Sequence, residues 1–87
     1  MSAIEIGDIV ISRAGHDKDK AFVVVSVVSD SFALIADGES RKVESPKLKR
    51  QKHLRVAEKS GIQSPTNASV KKRIKQFYKD RRLYAEK

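Results

Sequence analysis

Eighty-seven residues allow one small domain, and a chain this short buries only about 60–65% of the surface its unfolded form exposes, which excludes a deep cleft between lobes. The chain has no cysteine, so disulfides, zinc–thiolate sites, iron–sulfur clusters and thiol nucleophiles are excluded. Nineteen Lys and Arg against eleven Asp and Glu leave a net charge of +8, which points to a polyanionic partner, nucleic acid before anionic membrane.

Ile9-Val10-Ile11, between Gly7-Asp8 and Ser12-Arg13, is expected as a short strand entered from a turn. A polar loop follows from Ala14 to Lys20. Residues 21–29, AFVVVSVVS, are rich in β-branched side chains that pack well on a pleated surface. Strict alternation puts Phe22, Val24 and Val28 on one face of this second strand and Val23, Val25 and Val27 on the other. Asp30-Ser31 is a turn, and Phe32 to Ala36 is a third strand. Asp37-Gly38 predicts a type I′ hairpin turn, which needs positive φ at both residues. It leads into a fourth strand over Arg41–Val43, stopped by Pro46, which cannot donate to a ladder. Lys47 to Lys52 is expected as a basic loop and His53 to Val56 as a fifth strand. Strands so short and so few predict a mostly β fold, a small bent barrel over residues 1–57, because closure removes exposed edges. Its expected core is Ile9, Ile11, Val23 or Val24, Val25, Val27, Leu34, Ile35, Val43, Leu54 and Val56, with Val25 and Leu34 the sharpest test.

Residues 58–66 are linker-like, with Gly61, Pro65 and several hydroxyl side chains. From there the period changes. Val70, Ile74, Phe77, Arg81 and Tyr84 recur at helical spacing, so residues 67–87 are expected as a basic amphipathic helix capped by Thr66 or Asn67. Its other faces carry Lys71, Lys72, Arg73, Lys75, Lys79, Arg82 and Lys87. The apolar stripe of Val70, Ile74 and Phe77 needs cover, from the barrel or from a partner.

Charge is unevenly shared. Residues 1–40 hold three basic and seven acidic side chains, or −4; residues 41–87 hold sixteen and four, or +12. That asymmetry points to nucleic acid more strongly than the total does. The longest apolar stretch, Ala21 to Val28, is interrupted by Ser26 and falls short of the about 20 residues a membrane span needs. The helix has too thin an apolar face for insertion into a membrane. Glu5 and Asp8 near the start, with no basic lead, argue against a secretory signal, so a cytoplasmic location is expected.

Little here suggests catalysis. His16 and His53 are the only histidines, neither has a partner at the spacing of a helical metal site, and no metal or cofactor is expected. Asp17, Asp19, Asp37 and Glu39 lie in turns, where Asp serves local backbone bonding. No glycine-rich phosphate loop is present.

A glycine-containing loop with basic residues, followed at once by a valine-rich strand, does stand out. Gly7-Asp8-Ile9-Val10, Ala14 to Lys20 and Phe22-Val23-Val24-Val25 together resemble the KOW motif of ribosomal proteins and NusG-type transcription factors. Phe32 to Gly38, Arg41-Lys42 and Lys52-His53-Leu54 resemble the KOW-domain large-subunit ribosomal proteins of archaea and eukaryotes, the L-fourteen-e family, and small bacterial RNA-binding relatives of it. In the tail, Asn67-Ala68-Ser69-Val70-Lys71-Lys72 is similar to those bacterial proteins. One position departs from the motif: Asp19 stands where the motif carries glycine, which adopts positive φ at no steric cost, so a loop of altered shape is expected.

The resemblance implies an SH3-like barrel without catalysis that binds structured ribosomal RNA of the large subunit, beside other ribosomal proteins, as a monomer when free. The residues point the same way: basic side chains on barrel loops meet phosphates. The expected RNA surface is Arg13, Lys18 and Lys20 of the first loop, then Arg41, Lys42, Lys47, Lys49, Arg50, Lys52 and His53, on one rim. No exposed aromatic platform is evident among Phe22, Phe32, Phe77, Tyr78 and Tyr84, which favours recognition of RNA shape over unpaired bases. Two alternatives stand beside this: an SH3-like module that binds proteins, and a transcription or translation factor that contacts RNA polymerase or the ribosome.

Overall fold

A computed structural model describes residues 4–85, with side chains as far as Arg81. The strands are β1 (Asp8–Ser12), β2 (Ala21–Val27), β3 (Phe32–Ala36), β4 (Lys47–Arg50) and β5 (Leu54–Lys59). They form one antiparallel sheet in the order β4-β3-β2-β1-β5. A 3₁₀ turn, Gln51–His53, carries the chain from β4 to β5, and helix α1 (Asn67–Ala85) follows. The sheet bends into a small SH3-like barrel, with the helix laid on its outside.

β1 and β2 read as near-continuous apolar runs because both of their faces are buried. Val10, Phe22 and Val24 point into the barrel with Ile4, Ala33, Ile35 and Leu54. Ile9, Ile11, Ala21 and Val23 point the other way, under Val70, Ile74 and Phe77 of α1. The amphipathic stripe of the helix is therefore covered by its own barrel. Burial of side chains of this size stabilises by about 1.5–3 kcal/mol each. Arg81, on the same stripe, sets its guanidinium 5.4 Å from the centre of the Phe77 ring. Tyr84, Arg82 and Lys87 lie outside the residues whose side chains are described.

Three expectations need correction. First, the fourth strand is Lys47–Arg50, not Arg41–Val43. The Asp37 carboxylate accepts the backbone N–H groups of Glu39 (2.9 Å) and Arg41 (2.7 Å) and the Ser40 hydroxyl (2.8 Å), which curls the chain. The Val43 N–H goes to Asn67 Oδ1 at 2.8 Å, so it is withdrawn from any ladder. Pro46 thus precedes the strand instead of ending it, a position that suits a residue with no N–H.

Second, there is no type I′ turn. Gly38 has φ 81° but Asp37 is not in the positive-φ region. Residues 37–46 form a long connection whose turn is held by the Asp37 side chain. Gly38 is required for a different reason: a Cβ there would run into the Asn67 carbonyl and lie 3.0 Å from the Lys71 nitrogen, at the start of α1.

Third, Val25 and Leu34 are only half-buried and belong to neither apolar cluster. Val24 pairs with Ile35 while Ser26 pairs with Leu34, so Val25 is the extra residue of a β-bulge. The bulge moves Val27 to the barrel face beside Phe22 and Val24 and leaves Val28 exposed.

The helix is capped by Thr66. Its hydroxyl accepts the Ser69 N–H at 3.1 Å, and the Thr66 N–H donates to the Ser69 hydroxyl at 3.0 Å, a reciprocal cap. Asn67 instead ties the helix start to the 37–46 connection, through Val43 and through Glu44, which accepts from its Nδ2 at 3.0 Å. Among the described residues no helix is long and apolar enough to cross a membrane.

Candidate nucleic-acid interface

The β1–β2 loop is built by its own backbone. Ser12 and Lys20 pair across its base (3.0 Å), the Asp19 N–H reaches the Ser12 carbonyl (2.7 Å), and the Lys18 and Lys20 N–H groups close turns on Gly15 and Asp17. Asp19 holds φ 71°, the only positive φ outside glycine among the described residues. The left-handed backbone that glycine adopts freely is thus held here by an aspartate, a residue that tolerates that region better than most.

Alternation along β4 sends Lys47 and Lys49 toward this loop and leaves Leu48 and Arg50 on the other face. Lys47 forms an ion pair with Asp17, and Lys49 Nζ donates to the Ala14 carbonyl at 3.0 Å. The Arg13 N–H donates to the His53 carbonyl at 2.7 Å. So the structure brings Arg13, Lys18, Lys47, Lys49 and His53 together around one loop, β4 and the 3₁₀ turn. Two of the expected cations are internally engaged there: Lys47 by the carboxylate and Lys49 by the carbonyl. The Lys47 hydrogen bond, opposed by burial and aided by the charges of Lys20 and Lys49, holds the Asp17 carboxyl below its ordinary range.

Arg50 lies across the Phe32 ring, 5.4 Å from its centre, a pairing set by the β3–β4 register that puts Phe32 opposite Arg50. Phe32 is half-buried and serves as a platform for this guanidinium. A guanidinium stacked on a ring keeps its edge free for bidentate contact with phosphate. Lys52 stands beside Arg50 in a shallow depression with Asp30 and Ser31 of the β2–β3 turn.

Arg41 and Lys42 are not part of either group. They are exposed on the 37–46 connection next to the helix start. Lys20, at the far end of the first loop, lines a groove against α1 with Lys71, Lys75 and Tyr78. Side chains of Arg13, Lys18, Lys20, Arg41, Lys42 and Lys52 make no hydrogen bond or ion pair with the described residues. Unlike Lys47 and Lys49, they are available to an external anion. Burial alone would raise the Asp37 carboxyl, but the N–H groups of Arg41 and Glu39 and the Ser40 hydroxyl outweigh it and hold it below its ordinary range.

Sequence reading missed one aromatic. Tyr78 sits on the solvent side of the helix stripe, 45% exposed. Its oxygen accepts the Ala21 N–H at 2.7 Å, a bond between residues far apart in sequence that helical periodicity does not signal.

No family model matches the chain. The chain is similar to the large ribosomal subunit protein eL14 of Desulfurococcus amylolyticus, with 32% identity over 75 residues, spanning 86% of this chain and 77% of that protein. The alignment runs through barrel and helix alike rather than one short motif, and by that extent the chain belongs to the eL14 family of large ribosomal subunit proteins.

Proposed function

We propose that the chain is a non-catalytic RNA-binding protein of the large ribosomal subunit, or one that associates with it, and that it holds structured ribosomal RNA through phosphate contacts from its basic loops. One observation carries this reading. The β1–β2 loop is fastened to β4 by Lys47–Asp17 and Lys49–Ala14, so its exposed cations are held beside the strand and turn that present Arg50 and Lys52. Pre-set cations lose less freedom on meeting phosphate than a mobile tail does. In this reading Arg13, Lys18, Lys20, Arg50 and Lys52 supply most of the affinity. Arg41 and Lys42 extend the contact, and Lys47, Lys49 and His53 shape the loop. Membership of the eL14 family supports the ribosomal and non-catalytic parts of the reading.

The test is salt. If about five phosphates are met, the logarithm of affinity for a structured RNA should fall with the logarithm of salt at a slope of roughly −3 to −5. Replacing Arg50 and Lys52 together by Ala should weaken binding and reduce the slope by about two, because each cation lost removes one contact. Co-sedimentation with large subunits in a sucrose gradient tests the ribosomal part. Binding to a partner that is indifferent to salt would favour the protein-interaction module instead.

A further inference from the structure

We infer that the groove between the β1–β2 loop and helix α1 is a binding site for one unpaired nucleotide of the bound RNA, whose base stacks on Tyr78 while Lys20 and Lys75 hold its flanking phosphates. The inference rests on the RNA-binding reading and adds to it a preference for an extruded base.

The groove has a volume of about 240 Å³. That lies below the roughly 300–1,000 Å³ of sites that enclose small molecules, so it suits a single base better than a larger ligand. Its floor is apolar, formed by Ala21 and Ile74, both buried. Lys71, Ile74, Lys75 and Tyr78 share one ridge of the helix at spacings of three and four. Lys20 faces them from the barrel.

Tyr78 is the aromatic side chain of the groove. The Ala21 N–H fixes its oxygen against the barrel, yet 45% of the residue remains exposed. Its ring is set 5.9 Å from that of Phe77 at an angle of 54°, so the underlying core supports it. A ring anchored at its hydroxyl and backed by another ring has lost its freedom before any ligand arrives, and a base adds to it at low entropic cost. Lys20 and Lys75 make no hydrogen bond or ion pair with described residues, whereas Lys71 is paired with Glu39 at 3.3 Å. Glu39 brings an acceptor to the rim that suits an exocyclic amino group of a base. The Asp37 oxygens already receive three local donors, so that carboxylate serves the loop and not the ligand.

The experiment compares two RNA hairpins of equal nucleotide count: one fully paired, the other with a single bulged 2-aminopurine. The full chain should bind the bulged hairpin roughly tenfold more tightly, as one stacked base warrants, and should quench its fluorescence. Tyr78→Phe, which keeps the ring but loses the anchor to the Ala21 N–H, should keep the quench and lower the affinity ratio only in part. Tyr78→Leu should bring the affinity ratio to about one and abolish the quench, and Lys75→Ala should lower the ratio. Circular dichroism establishes that each variant is folded, and the quench by the unaltered chain tests the site even where a variant is not. Equal affinity for the two hairpins, no quench, or a preference that survives Tyr78→Leu would overturn the groove and leave the phosphate reading standing. Binding of neither hairpin would overturn both.

Discussion

At Asp19 a side chain occupies backbone space that glycine enters freely. Its φ of 71° is kept because the Asp19 N–H must reach the Ser12 carbonyl for the loop to close. Left-handed conformation costs an L-residue roughly 1–2 kcal/mol, somewhat less for Asp. Asp19→Gly is therefore expected to hold or raise stability, and Asp19→Val to lower it by more than about 1 kcal/mol, read from urea midpoints. Two other aspartates give the fold a dependence on acid. Asp17, hydrogen-bonded by Lys47, and Asp37, ringed by N–H and hydroxyl donors, both titrate below the ordinary 3.8. Carboxyls with folded values below the unfolded one stabilise fully above that unfolded value and lose the contribution as pH falls through the folded ones. Melting temperature should thus change little from about pH 7 to about pH 5 and drop below about pH 4. In Asp37→Asn the drop should be shallower, since one of the two linked groups is gone.

Among the elements, β4 is the one whose role exceeds its length. It is a polar edge strand, Lys-Leu-Lys-Arg, with Leu48 54% exposed, and lysines on an edge discourage pairing with another chain. Two of its residues also fasten the β1–β2 loop. Lys47→Ala should release that fastening without unfolding the barrel. Hydrogen exchange of the amides in residues 14–18 should then quicken while those of β1 and β2 keep their protection. Uniform loss of protection across the sheet would mean that the pair supports the barrel and not the loop. The bulge at Val25 works at the same scale. Through it one strand serves the barrel interior with Phe22, Val24 and Val27 and the helix with Ala21 and Val23.

The whole molecule is a stack of two apolar layers sharing β1 and β2, so barrel and helix stand or fall together. Phe77→Ala should cost about 3–5 kcal/mol, a large part of the 5–15 kcal/mol typical of a domain. Removing residues 61–87 should uncover Ile9, Ile11 and Val23 and leave a chain that aggregates or fails to fold, seen by circular dichroism and gel filtration. A stable monomeric barrel from that truncation would refute the shared core. Much of this was legible beforehand. β-branched runs marked β1 and β2, the apolar stretch after Asp30-Ser31 marked β3, and helical spacing marked Val70, Ile74 and Phe77, because these signals are local. β4 was not legible, since its four residues carry one apolar side chain and its neighbours' donors are claimed by Asp37 and by the distant Asn67. The bulge was hidden because alternation is read with a fixed period, and only pairing with β3 reveals the extra residue. Likewise the sequence by itself determined that the helix had an apolar face to bury and that cations outnumbered anions. Which surface covered that face, which lysines were consumed by Asp17 and Ala14, and that Tyr78 would be pinned beside Lys20 were decided by tertiary structure, because each depends on contacts between residues far apart along the chain.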